Sequence, residues 1–331
     1  MNQTTNQEVK TGYLDKQEYL AFVVSLICLS VLIVATNTCV CLLVYLNKAI
    51  RTCTNGFVVS LAISDIIMGA LFFPLHLAAP KFHGIEYLTG ISLLVGVANV
   101  VCVTYDRYLS ISSPLTYTMD IQNRFKKMII LCWSVPVIYA FIPLIWSADP
   151  SYLGHKIYIF IMEICGVIVP YIFIFAVYFY IFKQVKKCSK RLQTELTDQR
   201  TMTTKRNHLF FEMKVARVFM AIASVFLLGW APVLYITTIN NIDQGHLAPP
   251  MLHIMAFYTL ALESLVNPLI YCFLKPDIQS AIRRTLRKTW RREMAIRFNP
   301  RAVDTAGIVI GTSNTNLRVS HNGSSGQINI I

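Results

Sequence analysis

The sequence predicts an all-α membrane protein, a seven-transmembrane helix bundle with an amphipathic eighth helix on the inner membrane surface. Three observations support this fold class. The 331-residue chain is 55% hydrophobic and only 14% charged, whereas soluble domains average about 25% charged residues. Residues 20–46 contain no charged side chain, and about 20 apolar residues in a helix span the hydrocarbon core. Six further apolar runs follow the first one.

Each apolar run is long enough for one membrane-spanning helix. Helix is predicted over strand because backbone groups in lipid must find their hydrogen-bond partners within the segment. The predicted spans are residues 20–46, 56–79, 85–105, 128–146, 157–182, 215–238 and 251–274. We therefore expect four parts in the chain, namely an extracellular N-terminus (1–18), the seven-helix domain (19–274), helix 8 (275–292) and a disordered cytoplasmic tail (293–331).

The basic residues predict the orientation of the bundle. With the N-terminus outside, only four of the 30 Lys and Arg residues fall on the outer side, which leaves 26 on the inner side. This bias is typical of cytoplasmic segments. We expect a multi-pass plasma-membrane protein whose N-terminus is extracellular and glycosylated at Asn2, in the sequon Asn2–Thr4. The net charge of +13 then reflects contact with anionic membrane lipids and not with nucleic acid.

Polar and aromatic residues recur inside the apolar runs, where they are costly and usually functional. In chain order they are Asn37, Asp65, Asp106, Arg107, Tyr108, Trp133, Pro170, Tyr178, Phe226, Trp230, Pro232, Asn267, Pro268 and Tyr271. A transporter would also place polar groups in its spans, but it predicts inverted repeats or paired broken helices, and the sequence shows neither. This ordered set resembles the rhodopsin-like (class A) G-protein-coupled receptors, over roughly residues 20–290.

The resemblance implies a role for the triplet Asp106, Arg107 and Tyr108, which is similar to the family's D/E-R-Y motif. Arg107 would be held by Asp106 and, in the inactive state, by Glu212 at the base of the sixth helix. Such a clamp is a charge-assisted hydrogen bond across two helix ends. Ligand binding would open the sixth helix and release Arg107 to a heterotrimeric G protein, which is a shift between two populations.

Further activation residues follow from the same resemblance. Trp230 and Pro232 are similar to the family's rotamer sensor and bend, since a proline inside a helix removes one backbone hydrogen bond. Tyr178 and Tyr271 are similar to the two inner tyrosines that swing towards Arg107 on activation. Pro268 belongs to the Asn-Pro-Leu-Ile-Tyr motif of the seventh helix.

A buried polar network is implied at Asn37, Asp65 and Asn267. In the family, Asp65 and Asn267 often contribute to an allosteric sodium site, the one cofactor that the resemblance suggests. Gly96 stands where the family usually supplies a serine ligand, and Glu263 adds an acid four positions before Asn267. Glu263 is either protonated by burial or alters the ion site, and the sequence leaves both alternatives open. No other metal site is predicted.

The predicted inner surface offers contacts for a partner. Leu115 is similar to the family's hydrophobic residue that docks into a G protein. Ile278, Ile282 and Leu286 lie at i, i+4 and i+8 with basic residues on the other face, a pattern typical of a helix on a membrane surface. The family implies a heterotrimeric G protein as partner, arrestin and a receptor kinase as further partners, and contact with membrane lipids.

Two positions in the sequence limit the class of ligand. Thr89 lies 18 positions before Arg107, where aminergic members carry an aspartate, and Ala261 lies seven positions before Pro268, where opsins carry a lysine. An ordinary monoamine receptor and a retinal opsin are therefore disfavoured, and a small molecule, a lipid or a short peptide remains. The predicted pocket residues are His76, Glu86, Thr89, Met162, Glu163, Trp230, Tyr235, Thr237, His253 and Phe257.

Glu163 is the acid that stands out among these residues, because its surroundings in the sequence are apolar. It either binds a cationic ligand or pairs within the protein. No extracellular disulfide is expected, since Phe82 occupies the family's cysteine position and residues 147–156 contain no cysteine. No catalytic motif is found, so we do not expect an enzyme. The alternatives left open are a non-signalling seven-helix binding or scavenger protein and, less favoured, a transporter.

Overall fold

The structure is a computed structural model that describes residues 15–298, with gaps at residues 81, 83, 114, 147–151 and 195–198. The side chains of residues 188–212, 215, 274, 292–293 and 295–298 also lie outside the described part. The predicted glycosylation site at Asn2 and the predicted tail beyond residue 298 lie outside it as well.

The described chain contains eight long helices, and seven of them are long and apolar enough to cross a membrane. The prediction of a seven-helix membrane bundle is therefore confirmed. The helices are α1 (Lys16–Leu46), α2 (Cys53–Ala78), α3 (Gly84–Ser112), α4 (Tyr117–Ala140), α5 (Leu153–Lys187, continuing to Thr194), α6 (Gln199–Asn241), α7 (Pro250–Leu274) and α8 (Pro276–Phe298). α8 continues past the predicted boundary at residue 292.

Local sequence explains where the first two helices begin. Asp15 caps α1 in a capping box with Glu18, in which each side chain binds the other residue's backbone N–H. Thr52 caps α2 by accepting a hydrogen bond from the backbone N–H of Asn55 at 3.2 Å. Such caps satisfy N–H groups that have no partner inside the helix.

Two helices contain a π turn, at Met68–Phe72 in α2 and at Ile164–Ile168 in α5. In each case the turn ends two residues before a proline, Pro74 or Pro170. A proline lacks the N–H that a regular helix would use at that position, and a local π turn is one way in which a helix accommodates this. The π turns thus lie directly before the two prolines along the chain.

Burial in the bundle is typical of a protein surrounded by lipid. Leu20, Val31 and Tyr45 on α1 are more than 60% exposed, whereas the polar residues Asn37 and Asn267 are fully buried. Because lipid is as apolar as a side chain of leucine, apolar residues face outward and polar groups find partners inside. α3 is central, since it packs against α2, α4, α5 and α6.

A glycine permits the close contact between α6 and α7. A Cβ atom on Gly229 of α6 would lie 2.5 Å from Glu263 Cβ of α7, so only glycine permits this approach. The hydroxyl of Thr259 donates to the backbone carbonyl of Gly229 at 2.9 Å. Small residues and interhelical hydrogen bonds of this kind drive helix packing in membranes.

The chain divides into two compact units at Ala281 and Ile282. The first unit contains all seven spans and the start of α8, where Ile278 and Ala281 are buried. The second unit begins within α8, where Leu286 and Trp290 are both exposed.

Candidate functional site

The charge pair of Asp106 and Arg107 lies near the C-terminal end of α3, which we call the Arg107 end of the bundle. Asp106 is fully buried and Arg107 is 6% exposed. Arg107 Nη2 lies 2.5 Å from Asp106 Oδ2, and Arg107 Nε donates to the same oxygen at 3.1 Å. Charges at such depth require a partner and hydrogen bonds, and the neighbouring aspartate supplies both.

Two residues from neighbouring helices complete this network. Arg107 Nη2 donates to Thr54 Oγ1 at 2.7 Å and to the hydroxyl of Tyr117 at 3.3 Å. Thr54 and Tyr117 in turn donate to the carboxylate of Asp106, at 2.6 Å and 2.9 Å. Residues of α2, α3 and α4 therefore all bind the guanidinium of Arg107. Thr54 lies 53 positions from Arg107 in the chain, so its contact with Arg107 could not be predicted from the sequence, and only the tertiary fold brings the two together.

Three further residues were predicted at this end of the bundle, namely Tyr108, Leu115 and Glu212. The ring of Tyr108 lies 5.6 Å from that of Tyr180. Leu115 is 99% exposed, so it is available to a partner. The side chain of Glu212 lies outside the described residues, and its clamp with Arg107 stays a prediction.

Trp230 lies in the middle of the bundle, two residues before Pro232, and only 2% of it is exposed. Its ring stacks on Phe226 with a centroid distance of 6.0 Å and an interplanar angle of 27°. Phe226 in turn packs over Gly96 of α3, where an added Cβ would lie 2.1 Å from the ring. The ring therefore takes the space that a side chain at position 96 would need.

Asn267 holds two acidic side chains together between α2 and α7. Its Nδ2 donates to Glu263 Oε1 at 2.8 Å and to Asp65 Oδ2 at 3.2 Å, and each of the three residues is at most 4% exposed. Ser264 donates to the other oxygen of Glu263 at 3.3 Å, and Asn37 donates to the backbone carbonyl of Ser264 at 3.1 Å. The predicted polar residues Asn37, Asp65 and Asn267 are thus neighbours in space, as is Glu263.

The two tyrosines that were predicted to act in activation are deeply buried. Tyr178 on α5 is fully buried, and Tyr271 on α7 is 1% exposed, beyond the buried Pro268. Two tyrosines from different helices thus place polar hydroxyl groups in the interior of the bundle. Their predicted movement towards Arg107 stays a prediction.

A buried lysine, Lys275, lies between α7 and α8 and was not predicted from the sequence. It is 2% exposed, its Nζ donates to Asn55 Oδ1, and the same Nζ lies 3.4 Å from Asp277 Oδ2. Asn55 Nδ2 also donates to Asp277 Oδ2, at 2.9 Å. On its remaining side, Lys275 Nζ lies 5.6 Å from the centroid of the Phe219 ring of α6.

Burial shifts the protonation equilibrium of Lys275, which lies outside the span Pro250–Phe273. Loss of water around the ammonium group lowers the pKa of Lys275 from its ordinary value of 10.5 to about 8, although the nearby Asp277 favours the charged form. Lys275 therefore remains protonated at neutral pH and links the start of α2 to the junction of α7 and α8.

A cavity of about 550 Å³ lies near the N-terminal end of α3, which we call the Gly84 end of the bundle. This volume is within the range of small-molecule sites. Four of the predicted pocket residues line the cavity, namely Glu86, Thr89, Met162 and Thr237. Asn240, another candidate from the sequence, also lines it, and the residues found only in the structure include Tyr87, Leu93, His155, Lys156, Tyr158, Leu234 and Asp243.

The other predicted pocket residues do not line this cavity. Glu163 is 7% exposed and accepts hydrogen bonds from the hydroxyl of Thr238 at 2.9 Å and 3.0 Å. The rings of His76 and Phe257 are in contact, with a centroid distance of 4.4 Å. Also outside the cavity lining are Trp230, Tyr235 and His253. Within the described part, Glu163 thus has an internal partner, which was one of the two alternatives.

The bundle defines a seven-helix membrane protein with polar residues buried between its helices. The family described as "7 transmembrane receptor (rhodopsin family)" matches residues 36–271. The chain belongs to this family, as the sequence predicted. It is a family of receptors and not of enzymes.

Individual relatives are distant. The chain is 24% identical to a Gq-coupled rhodopsin of Mizuhopecten yessoensis, 25% to the octopamine receptor beta-2R of Chilo suppressalis and 26% to the human adenosine receptor A2a. These matches cover 74%, 79% and 78% of this chain, and 55%, 78% and 70% of the three relatives. The chain thus spans only about half the length of the rhodopsin it matches.

The crystal structure of squid rhodopsin has the same fold. Its TM-score to this chain is 0.73 at 20% sequence identity, with 83% of this chain and 87% of squid rhodopsin covered. At this identity the likeness establishes the helix arrangement alone. The ligand and the signalling partner must therefore be argued from the residues of this chain.

Proposed function

We propose that this protein is a G-protein-coupled receptor, which converts binding of a small extracellular ligand in the Gly84-end cavity into activation of a heterotrimeric G protein at the Arg107 end. The observation that supports it is the buried network around Arg107, on the same helix as the cavity lining. Leu93 in the cavity and Arg107 are 14 residues apart, or about 21 Å along α3. One helix thus links the two sites.

The mechanism follows from the contacts of Arg107. In this conformation its guanidinium is engaged by Asp106, Thr54 and Tyr117, so it is not available to a partner. A ligand that fits the cavity better when α6 is tilted outward would shift the population towards the open form. In that form Arg107 exchanges intramolecular hydrogen bonds for contacts with the G protein, together with the exposed Leu115.

The expected orientation places the Gly84 end outside the cell and the Arg107 end in the cytoplasm of a plasma-membrane protein. The distribution of Lys and Arg between the two ends supports it. Arrestin and a receptor kinase are further proposed partners at the Arg107 end, and membrane lipids surround the bundle. The names of an octopamine receptor and an adenosine receptor among the relatives support a small organic ligand.

The acids around Asn267 fit an allosteric sodium ion in their chemistry. The carboxylates of Asp65 and Glu263 supply hard oxygen ligands, and Asn267 Oδ1 is a buried oxygen without a hydrogen-bond partner among the described residues. Gly96 has no side-chain oxygen that could bind a cation. Glu263 supplies a carboxylate from α7 instead. When bound, the cation would neutralise like charges, while Asn267 keeps both carboxylates in place.

A second-messenger measurement in transfected cells tests the proposal, using Arg107→Ala and wild-type protein at matched surface expression. We expect loss of all G-protein signalling, basal or stimulated, with surface expression retained. Arg124→Ala is the matched control, because Arg124 lies on α4 and contacts Tyr105 instead of the buried network. It should signal as the wild type does.

Two results would contradict the proposal. Unchanged signalling by Arg107→Ala would remove Arg107 from the coupling mechanism. Absence of any second-messenger response in the wild type, with saturable ligand binding intact, would favour the non-signalling binding protein instead.

A further inference from the structure

The lining of the Gly84-end cavity changes from polar to apolar along each of three helices. On α3, Glu86 is followed by Thr89 and then by Leu93, and these residues span about 10 Å of helix. The spacing of three and four residues places them on one helix face. The charged end of this row is at the start of α3, and its apolar end is deeper in the bundle.

α5 and α6 repeat the same gradient. On α5, Lys156 lies at the polar end and Met162 at the apolar end. On α6, which runs in the opposite direction, Leu234 is followed by Thr237 and then by Asn240. Three helices thus build a cavity that is apolar at its inner end and polar at its outer end.

The charges around this cavity leave one carboxylate unpaired. Lys156 Nζ forms an ion pair with Asp243 Oδ2 at 2.5 Å, so these two charges compensate each other. His155 Nδ1 accepts a hydrogen bond from Trp146 Nε1 at 3.1 Å, which requires the neutral imidazole. Glu86 makes no hydrogen bond or ion pair within the described residues. The described lining therefore carries one net negative charge, at its outer end.

Aromatic rings surround the same side of the cavity. Tyr87, next to Glu86, lines it and stacks on Phe141 with a centroid distance of 5.4 Å. Tyr158 also lines it, and Trp146 packs against Tyr158 edge-on at 5.8 Å. Aromatic faces beside a carboxylate are the surroundings that organic cations favour.

We propose that the cavity binds an amphiphilic organic cation, with its ammonium group held at the outer end by Glu86 and its apolar body directed inward between Leu93, Met162 and Leu234. This inference rests on the proposed function, since it names the ligand class of the same site. The anchor lies one helical turn outward from Thr89. Glu163 does not serve as the anchor, because Thr238 already satisfies its carboxylate.

A pair of probes of equal shape tests the charge requirement. 4-Phenylbutylamine carries an ammonium group at neutral pH, whereas 4-phenylbutan-1-ol is its neutral counterpart. Binding is measured by surface plasmon resonance on the full-length receptor in lipid nanodiscs, with empty nanodiscs as the reference for partitioning. We expect the amine to bind at least about tenfold more tightly than the alcohol, because a charge-assisted hydrogen bond is stronger than a neutral one.

Two variants locate the anchor. Glu86→Gln should abolish the preference for the amine, whereas Glu163→Gln, which removes an equivalent charge outside the cavity, should preserve it. Glu86→Ala is a second variant that should lose the preference in the same way. Thermal unfolding without ligand shows that each variant is folded, which we expect because Glu86 is exposed.

The outcomes separate this inference from the proposed function. No saturable amine binding, equal binding of amine and alcohol, or a preference that survives loss of Glu86 would overturn the inference. So would a preference lost in Glu163→Gln. Because the binding measurement needs no G protein, an amine that binds without signalling would contradict only the proposed function. Signalling through Arg107 without amine binding would contradict only the ligand class.

Discussion

Replacement of Lys275 by methionine tests the buried charge between α7 and α8. Lys275→Met keeps a long, flexible side chain in contact with Phe219 and removes the ammonium group. In the wild type this group binds Asn55 and Asp277 while only 3% of its side chain is exposed. A buried charge of this kind makes stability depend on pH, whereas methionine contributes no such dependence.

The magnitude follows from the two pKa values of Lys275. The pKa of Lys275 has its ordinary value of 10.5 in the unfolded chain, and burial lowers it to about 8 in the folded protein. Between these values the unfolded chain binds the proton and the folded one releases it, so stability rises with pH. The gap of about 2.5 pH units corresponds to about 3 kcal/mol. Below pH 8 both forms are protonated, and this contribution is constant.

Thermal unfolding of the purified receptor at pH 7.5 and pH 10 measures this effect. About 70% of this free energy accrues between pH 7.5 and pH 10. The Tm of the wild type minus that of Lys275→Met should therefore rise by roughly 5 °C between the two pH values, at about 2 °C per kcal/mol. Taking the difference cancels the titration of groups that both proteins share. Lys48→Met, which removes an exposed lysine, is the control and should follow the wild-type profile. A difference in Tm that is equal at both pH values would refute the reasoning.

Two further predictions concern the middle of the bundle. Gly96→Ser should lower the free energy of unfolding by about 1–3 kcal/mol, because the serine side chain would overlap the Phe226 ring. The double variant Gly96→Ser with Phe226→Ala should recover part of this loss, and an unchanged Tm in Gly96→Ser would contradict the packing described. Sodium at about three times its dissociation constant should stabilise the receptor by about 0.8 kcal/mol, so the Tm in sodium chloride should be roughly 2 °C higher than in choline chloride. This rise should vanish in Asp65→Asn, and an equal rise in that variant would remove Asp65 from the ion site.

Much of the architecture could be predicted from the sequence. The seven apolar runs coincide with the seven spanning helices, because the thickness of a bilayer sets their length and lipid permits no unsatisfied backbone. Asp106, Arg107 and Asn267 could be found as well, because polar groups in an apolar run are conspicuous.

The candidate site was only partly predictable. Glu163 stands out in the sequence as a lone acid, yet in the structure it is satisfied by Thr238, 75 positions away. Glu86 lies near a helix end, where an acid is unremarkable, and only the cavity distinguishes it. Lys275 resembles any basic residue after a span until Asn55 and Asp277 are seen to surround it.

The sequence by itself determined the membrane class, the number of helices and the residues that resemble the rhodopsin family. These properties depend on apolar length and on the types of residue within one segment. Only the tertiary structure decided that Thr54 and Tyr117 hold Arg107, that Phe226 fills the space above Gly96, and which acid faces the cavity. These properties depend on contacts between distant segments, because the surroundings of a charge decide whether it is already satisfied or available to a ligand.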